Sequence, residues 1–346
     1  MTEQAVQKLR LSSPGDLVEA VPYLLGYHPS DSMVALALRG SRRRVVFTMR
    51  LDLPQPGEGD IATPLAQSVG DYLAHAKADQ AVLVVYGDTG DVLDGLPHSG
   101  FIEAATRALV RRRIAVIEAL YVGAGRWWSY TCDLPTCCPS EGTPITTDGC
   151  STVAATATYA GMVALPNREA VEKILEPEGF LAGAGMAQAL ARADEALTAQ
   201  VIDRRSIEVL RAETRALLTD AVDSEPVLSD DAAARLIVGI EDIVVRDECC
   251  EWAGTERARP AQRLWVQLAR RAAPGYDIVP LALVGWFAWR DGDSTVARIA
   301  VDRCLRSDPG YSLARLLQEA LDFAVNPAAL STKLPAKRTR SRKRRR

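Results

Sequence analysis

Three cysteines, two tryptophans and a tyrosine crowd the seventeen residues from Arg126 to Gly142, R-W-W-S-Y-T-C-D-L-P-T-C-C-P-S-E-G. Cysteine thiolates are soft metal ligands and nucleophiles, and aromatic rings either stack on a ligand or plug a core. Together with Cys150, residues Cys132, Cys137 and Cys138 give the spacing C-x4-C-C-x11-C. Zinc takes four such ligands in a tetrahedron, commonly two of them from a C-x2-C turn. That turn is absent here, and the vicinal pair is expected to splay its two thiols apart. Reduced thiols without metal are the leading reading, a structural zinc the alternative, and a redox role for Cys137-Cys138 a third. A second vicinal pair, Cys249-Cys250, lies between Glu248 and Glu251. It reads as structural, because acidic neighbours raise a thiol's pKa and blunt its reactivity.

Trp127, Trp128 and Tyr130 alternate as in a strand, which puts Trp128 and Tyr130 on one face and Trp127 on the other. A core plug is the plain reading. The sharper one is a ligand pocket, since open α/β sheets bind ligands beyond the carboxyl ends of their strands. The strand-like run Ile114 to Tyr121 leads into Gly123-Ala124-Gly125-Arg126, and Gln80 to Tyr86 leads into Gly87-Asp88-Thr89. The expected pocket residues are therefore Asp88, Arg126, Trp128 and Tyr130, with His28 and Asp31 from the turn G-Y-H-P-S-D. A hydrogen bond within that turn explains His28 and Asp31 equally simply. His75 reads as a surface residue, and all three histidines (His28, His75 and His98) fall in unrelated segments. No nucleophile elbow, Walker loop or H-E-x-x-H sequence is present, so the common hydrolase and kinase chemistries are not expected.

The chain carries 41 basic and 44 acidic residues, and nine of the basic ones fall between Lys333 and Arg346. Without them, 32 basic face 44 acidic residues, so an acidic body of about −12 is expected to trail a cationic tail. Lys337, Arg338, Arg340, Arg342, Lys343, Arg344, Arg345 and Arg346 could meet nucleic-acid phosphates or an acidic partner, in a salt-dependent and sequence-blind way. A solvated tail, or one that folds onto its own acidic body, are the plainer readings. Like charges at this density are expected to leave the segment disordered.

The elements that must position these residues are legible from periodicity. The first half alternates helix-like and strand-like runs: a helix from Ser13 to Leu25, strands over Ser32 to Leu38 and Arg43 to Leu53, a helix from Ile61 to Ala78. A buried strand (Gln80 to Tyr86), a helix (Gly100 to Arg112) and a matching strand (Ile114 to Tyr121) follow. This predicts an α/β domain over 12–166, a three-layer, mixed and partly parallel sheet with an antiparallel hairpin. From Asn167 onward the pattern is helical, which predicts an all-helical domain over 167–326 ahead of a basic tail over 327–346. One of its helices is expected from Ser229 to Val245. Val284, Gly285, Ala288, Gly292, Ala297, Cys304, Leu305 and Pro309 have the spacing of one tetratricopeptide-like hairpin, although a plain helical hairpin fits as well. With 346 residues, two domains are expected. The polar start Met1 to Arg10 lacks a secretory pattern, and no apolar run reaches the roughly 18 residues of a membrane helix. A cytoplasmic protein with no membrane contact is therefore expected.

The segments S-S-P-G-D-L-V-E-A-V-P-Y-L-L-G-Y-H-P-S-D-S-M-V and V-V-F-T-M-R-L-D-L-P resemble an actinobacterial family of uncharacterised proteins known only as a domain of unknown function. R-W-W-S-Y-x-C-x4-C-C-P-x-x-G and D-P-G-Y-S-L-A-R-L-L carry the same likeness, which spans Leu11 to about Asn326 and leaves out the tail. The resemblance implies an intracellular protein and brings no activity, cofactor or catalytic residue. The function expected from the residues is a non-catalytic binding or regulatory module whose helical half offers a surface to a protein partner. The alternatives are an enzyme acting on a small polar metabolite at the sheet edge, with His28, Asp31 or Cys138 taking part, and a nucleic-acid-associated protein recruited by its tail.

Overall fold

The computed structural model describes residues 13–54, 61–87, 95–132, 134–145 and 151–327. Asp88, Cys150 and the basic tail lie outside the described residues. The chain opens with α1 (Pro14–Leu25), started by a reciprocal pair in which Ser13 Oγ accepts from the Asp16 amide and the Asp16 carboxylate accepts from the Ser13 amide, each at 3.1 Å. Gly26, at φ +80°, ends it in the left-handed conformation that glycine reaches without a Cβ penalty. The hairpin β1 (Ser32–Arg39) and β2 (Arg44–Asp52) follows, then α2 (Ala62–His75), β3 (Gln80–Tyr86), α3 (Ser99–Arg111), β4 (Ala115–Gly123), β5 (Arg126–Ser129) and β6 (Thr143–Pro144).

The six strands form one mixed sheet in the order β2-β1-β3-β4-β5-β6. Only β3 and β4 pair in parallel, as expected of strands joined through a helix. Met33 to Leu38 and Ala81 to Tyr86 are buried on both faces, which explains their unbroken apolar runs. One face, with Met33, Leu83, Val85 and Tyr121, is covered by Val69 and Leu73 of α2 and by Phe101 and Leu109 of α3. The other, with Val34, Leu36, Val84 and Trp127, is covered by Val18 and Val21 of α1.

The rest is helical: α4 (Thr152–Tyr159), α5 (Arg168–Ile174), α6 (Phe180–Ile202), α7 (Ile207–Ser224), α8 (Asp230–Gly239), α9 (Ile243–Cys250), α10 (Ala258–Arg271), α11 (Ile278–Asp291), α12 (Ser294–Ser307) and α13 (Ser312–Asp322). The single helix expected from Ser229 to Val245 is two. Asp242 interrupts it, its carboxylate accepting from the amides of Val244 and Val245 as the cap of α9 while also holding Arg211 Nε at 2.9 Å. The helices bury a core of their own around Trp265, Leu268, Leu281 and Leu283. They also reach back: Val171 of α5, with Val296 and Ile299 of α12, packs on the α1 face of the sheet. Thr295 Oγ1 donates to the Leu25 carbonyl at 3.1 Å. Two residues, Gly292 and Asp293, link α11 to α12, so the pair runs antiparallel. Among the described residues no helix is long and apolar enough to cross a membrane.

The placing of α12 depends on Gly285, where a Cβ would stand 3.0 Å from Val301 Cγ2. Gly285→Val is expected to force α11 and α12 apart and cost about 1–3 kcal/mol, the range for overpacking a full core. Urea unfolding measures it, and an unchanged midpoint would contradict the close approach.

Candidate functional site

The cysteine segment is anchored along the outer side of the sheet. β5 pairs with β4 so that Trp128 faces Tyr121 across the ladder, and the Tyr130 amide donates to the Ala119 carbonyl at 2.8 Å. Trp128 and Tyr130 pack with Tyr121 on the α2/α3 face, and Trp127 is buried on the opposite one. Their polar atoms are spent on backbone. Trp128 Nε1 donates to the Ser140 carbonyl at 3.0 Å, and the Tyr130 hydroxyl donates to the Pro97 carbonyl at 2.5 Å. Arg126 donates from Nε to the Glu141 carbonyl (2.7 Å) and from Nη2 to the Gly142 carbonyl (2.8 Å). Burial holds the Tyr130 phenol well above its ordinary pKa. Arg126 and Trp128 thus clasp the returning loop to the sheet edge, and Tyr130 ties the end of β5 to the segment ahead of α3.

His28 and Asp31 do not join them. Both are exposed at the start of β1, and β3 and β4 separate β1 from β5, about 14 Å across at the usual strand spacing. The His28 amide donates to the Leu165 carbonyl at 2.9 Å, so the G-Y-H-P turn is tied to the chain ahead of α5. The described members of the expected pocket therefore lie apart, because Trp128 and Tyr130 turn into the α2/α3 layer instead of outward over the strand ends.

The loop that they clasp brings three thiols together. The sulfur atoms of Cys132, Cys137 and Cys138 all lie within 4.8 Å of one another, with Cys132 and Cys137 at 3.1 Å. The vicinal pair does not splay as expected. The amides of Cys137 and Cys138 both donate to the Leu134 carbonyl, at 3.1 and 2.7 Å. In a helical turn neighbouring side chains diverge by about 100°, less than the opposite sides of a strand, which leaves both sulfur atoms within reach of Cys132. Cys137 is exposed, and Cys132 and Cys138 are half-buried. The hydrogen bond with Cys132 raises the Cys137 thiol, while burial and both neighbouring thiols push Cys138 up to about 12. Crowded protonated thiols of this kind are what a soft cation deprotonates and binds. By contrast, Cys249 and Cys250 are held up at about 12 chiefly by burial within the helical core, more than by the acids beside them in sequence.

Sequence reasoning missed a cleft of about 180 Å³ at the opposite edge of the sheet, where β2 meets α12 and α13. Tyr27, Arg50, Arg168 and Arg298 lie on its wall. Its one legible signal was parity within β2: Arg50 pairs with Val34 and Thr48 with Leu36, so both share the face covered by α1 and α12.

A family-wide sequence profile described as Domain of unknown function (DUF4192) matches residues 14–328. The chain belongs to this family. No curated protein and no solved structure matches the chain. Membership covers the sheet, the clasped thiols and the helices α1 to α13 in one unit of sequence.

Gly142 is where the clasp is least tolerant. It is buried at φ +76°, and a Cβ there would stand 2.4 Å from Trp128 Cε2. Gly142→Ala is expected to lower stability by about 1–3 kcal/mol from backbone strain together with the clash. It should also red-shift tryptophan emission as Trp128 is displaced. Unaltered unfolding and emission would contradict the clasp.

Proposed function

We propose that this chain is a non-catalytic binding or regulatory module in which Cys132, Cys137 and Cys138 hold one soft divalent metal, zinc by preference. The observation that carries the reading is the convergence of three sulfur atoms within 4.8 Å on a loop tied to the sheet by Arg126 and Trp128. Thiolate sulfurs bind zinc at about 2.3 Å, and three of them leave one tetrahedral position. Cys150 is the sequence candidate for it, and water the alternative. The metal would lock the loop, so that metal supply sets the shape of this edge.

A partner surface is supported by the exposed Val201, Ile202 and Ile207 at the corner between α6 and α7, apolar side chains of the kind that partners cover. The α11–α12 pair, with Gly285 at its crossing, is read as one tetratricopeptide-like unit in this scaffold. The 3.1 Å approach of Cys132 and Cys137 also favours a second reading, a disulfide formed when an external two-electron oxidant, a peroxide or a disulfide, takes up the two electrons and the two thiol protons.

Zinc titration under reducing conditions, read by native mass spectrometry and thermal unfolding, tests the metal. One zinc per chain is expected, raising stability by about 2.7 kcal/mol when zinc is 100-fold above its Kd. The gain should vanish in Cys132→Ser and Cys138→Ser and persist in Cys249→Ser. Uptake of no zinc by the unsubstituted chain would sink the metal reading. Loss of two titratable thiols on mild oxidation, abolished by Cys137→Ser, would then favour the disulfide.

A further inference from the structure

The arginine-lined cleft brings together residues from three distant parts of the chain. Arg50 comes from the outermost strand, Arg168 from the first position of α5 and Arg298 from the second turn of α12. The wall carries these three guanidinium groups, the hydroxyl-bearing Tyr27, Thr48, Ser294 and Thr295, and no carboxylate. The acids that balance the arginines (Asp52 at 2.6 Å from Arg50, Glu172 at 3.3 Å from Arg168, Asp322 at 2.6 Å from Arg298) lie off the wall. Asp302, close to Arg168 and Arg298, is off the wall too. Each ion pair takes part of a guanidinium and leaves further N–H donors, of which arginine has five.

Arg50 is the most committed of the three. Its side chain is 18% exposed, and its Nε is buried with no hydrogen-bond partner. A buried unpartnered donor costs about 1–3 kcal/mol, more when it is charged, and an oxyanion seated in the cleft would relieve that cost. Ser294 and Thr295 of the first turn of α12 also border the cleft, the amide end of that helix being capped by the Asp293 carboxylate, which accepts from the Val296 amide at 3.0 Å. Leu25 and Leu321 add apolar surface, while Phe47 and Met49 border the cleft from β2 with their side chains packed on the opposite, α2/α3 face of the sheet. The volume is below the roughly 300–1,000 Å³ of sites for drug-sized ligands, so the occupant is small.

We propose that this cleft binds a small organic anion, a phosphate or carboxylate head clamped by Arg50, Arg168 and Arg298 on a compact apolar body lying against Leu25 and Leu321. The site deepens the binding-module reading and rests on it, but it shares no residue with the thiol cluster. An anion held there bridges β2 of the sheet to α12 of the helical half, so binding would tighten the contact between them.

The test is isothermal titration calorimetry of the full chain at low salt, with phenyl phosphate and benzoate as probes of the two head groups. Saturable one-to-one binding of at least one probe is expected, and the probe that binds names the head. Arg168→Gln and Arg298→Gln should each weaken it at least about tenfold, the size expected from losing one charge-assisted hydrogen bond. Both side chains are partly exposed, so these variants should fold. Arg42→Gln, in the exposed turn between β1 and β2, should change nothing. No saturable heat with either probe would overturn the proposal, and so would equal weakening by Arg42→Gln, which would mark diffuse charge attraction. Zinc content measured on the same samples separates this outcome from failure of the metal reading.

Discussion

The structure depends on a sheet in which two inner strands, β1 and β3, are apolar on both faces. Met33 to Leu38 and Ala81 to Tyr86 can be kept from water only if helices cover each side. The side facing α2 and α3 is closed by the helices that directly connect the strands in sequence. The other is covered by α1 and completed by Val171, Val296 and Ile299, the last two more than a hundred residues further along the chain than any strand of the sheet. The α12 helix can take that position because Gly285 lets α11 lie close behind it, and because Thr295 bonds to the end of α1. The helical half is thereby part of the wall of the sheet's core.

Both candidate sites lie where this packing runs out. At the β2 edge the helical cover stops short of the strand, and the gap is lined by arginines anchored on three packed elements. At the opposite edge β5 and β6 extend the sheet, and the loop between them is fastened through backbone carbonyls by Arg126 and Trp128. Groups that are to hold a metal or an anion need orientation by rigid neighbours, and each edge supplies it differently: ion pairs and helix packing at one, an aromatic and guanidinium clasp at the other.

Local patterning made much of this legible. The unbroken run Gln80 to Tyr86 is a buried strand because both its faces are covered, and the alternation of Trp128 with Tyr130 placed them together on one face. The C-x4-C-C spacing drew attention to these thiols but was expected to splay the vicinal pair, because a helical turn at Leu134 was not foreseen. Asp242 shows the same limit, since a cap inside a periodic helix is weak until Arg211 from another helix supports it. The arginine cleft was out of reach. Its members stand at positions 50, 168 and 298, each spaced like an ordinary surface arginine, and only the packing of α12 on the sheet assembles them. His28 drew attention as the residue type that does chemistry, whereas its neighbour Tyr27 is the one that reaches the cleft.

The central claim is that α12 and the sheet form one cooperative structure. Native-state hydrogen exchange, followed by mass spectrometry in increasing urea below the unfolding midpoint, tests it most directly. The account expects amides of β3, over 80–86, and of α12, over 294–307, to open with the same free energy and the same urea dependence. Opening of α12 at a lower free energy, with β3 still protected, would contradict it and show that the sheet keeps its second face closed without the helical half.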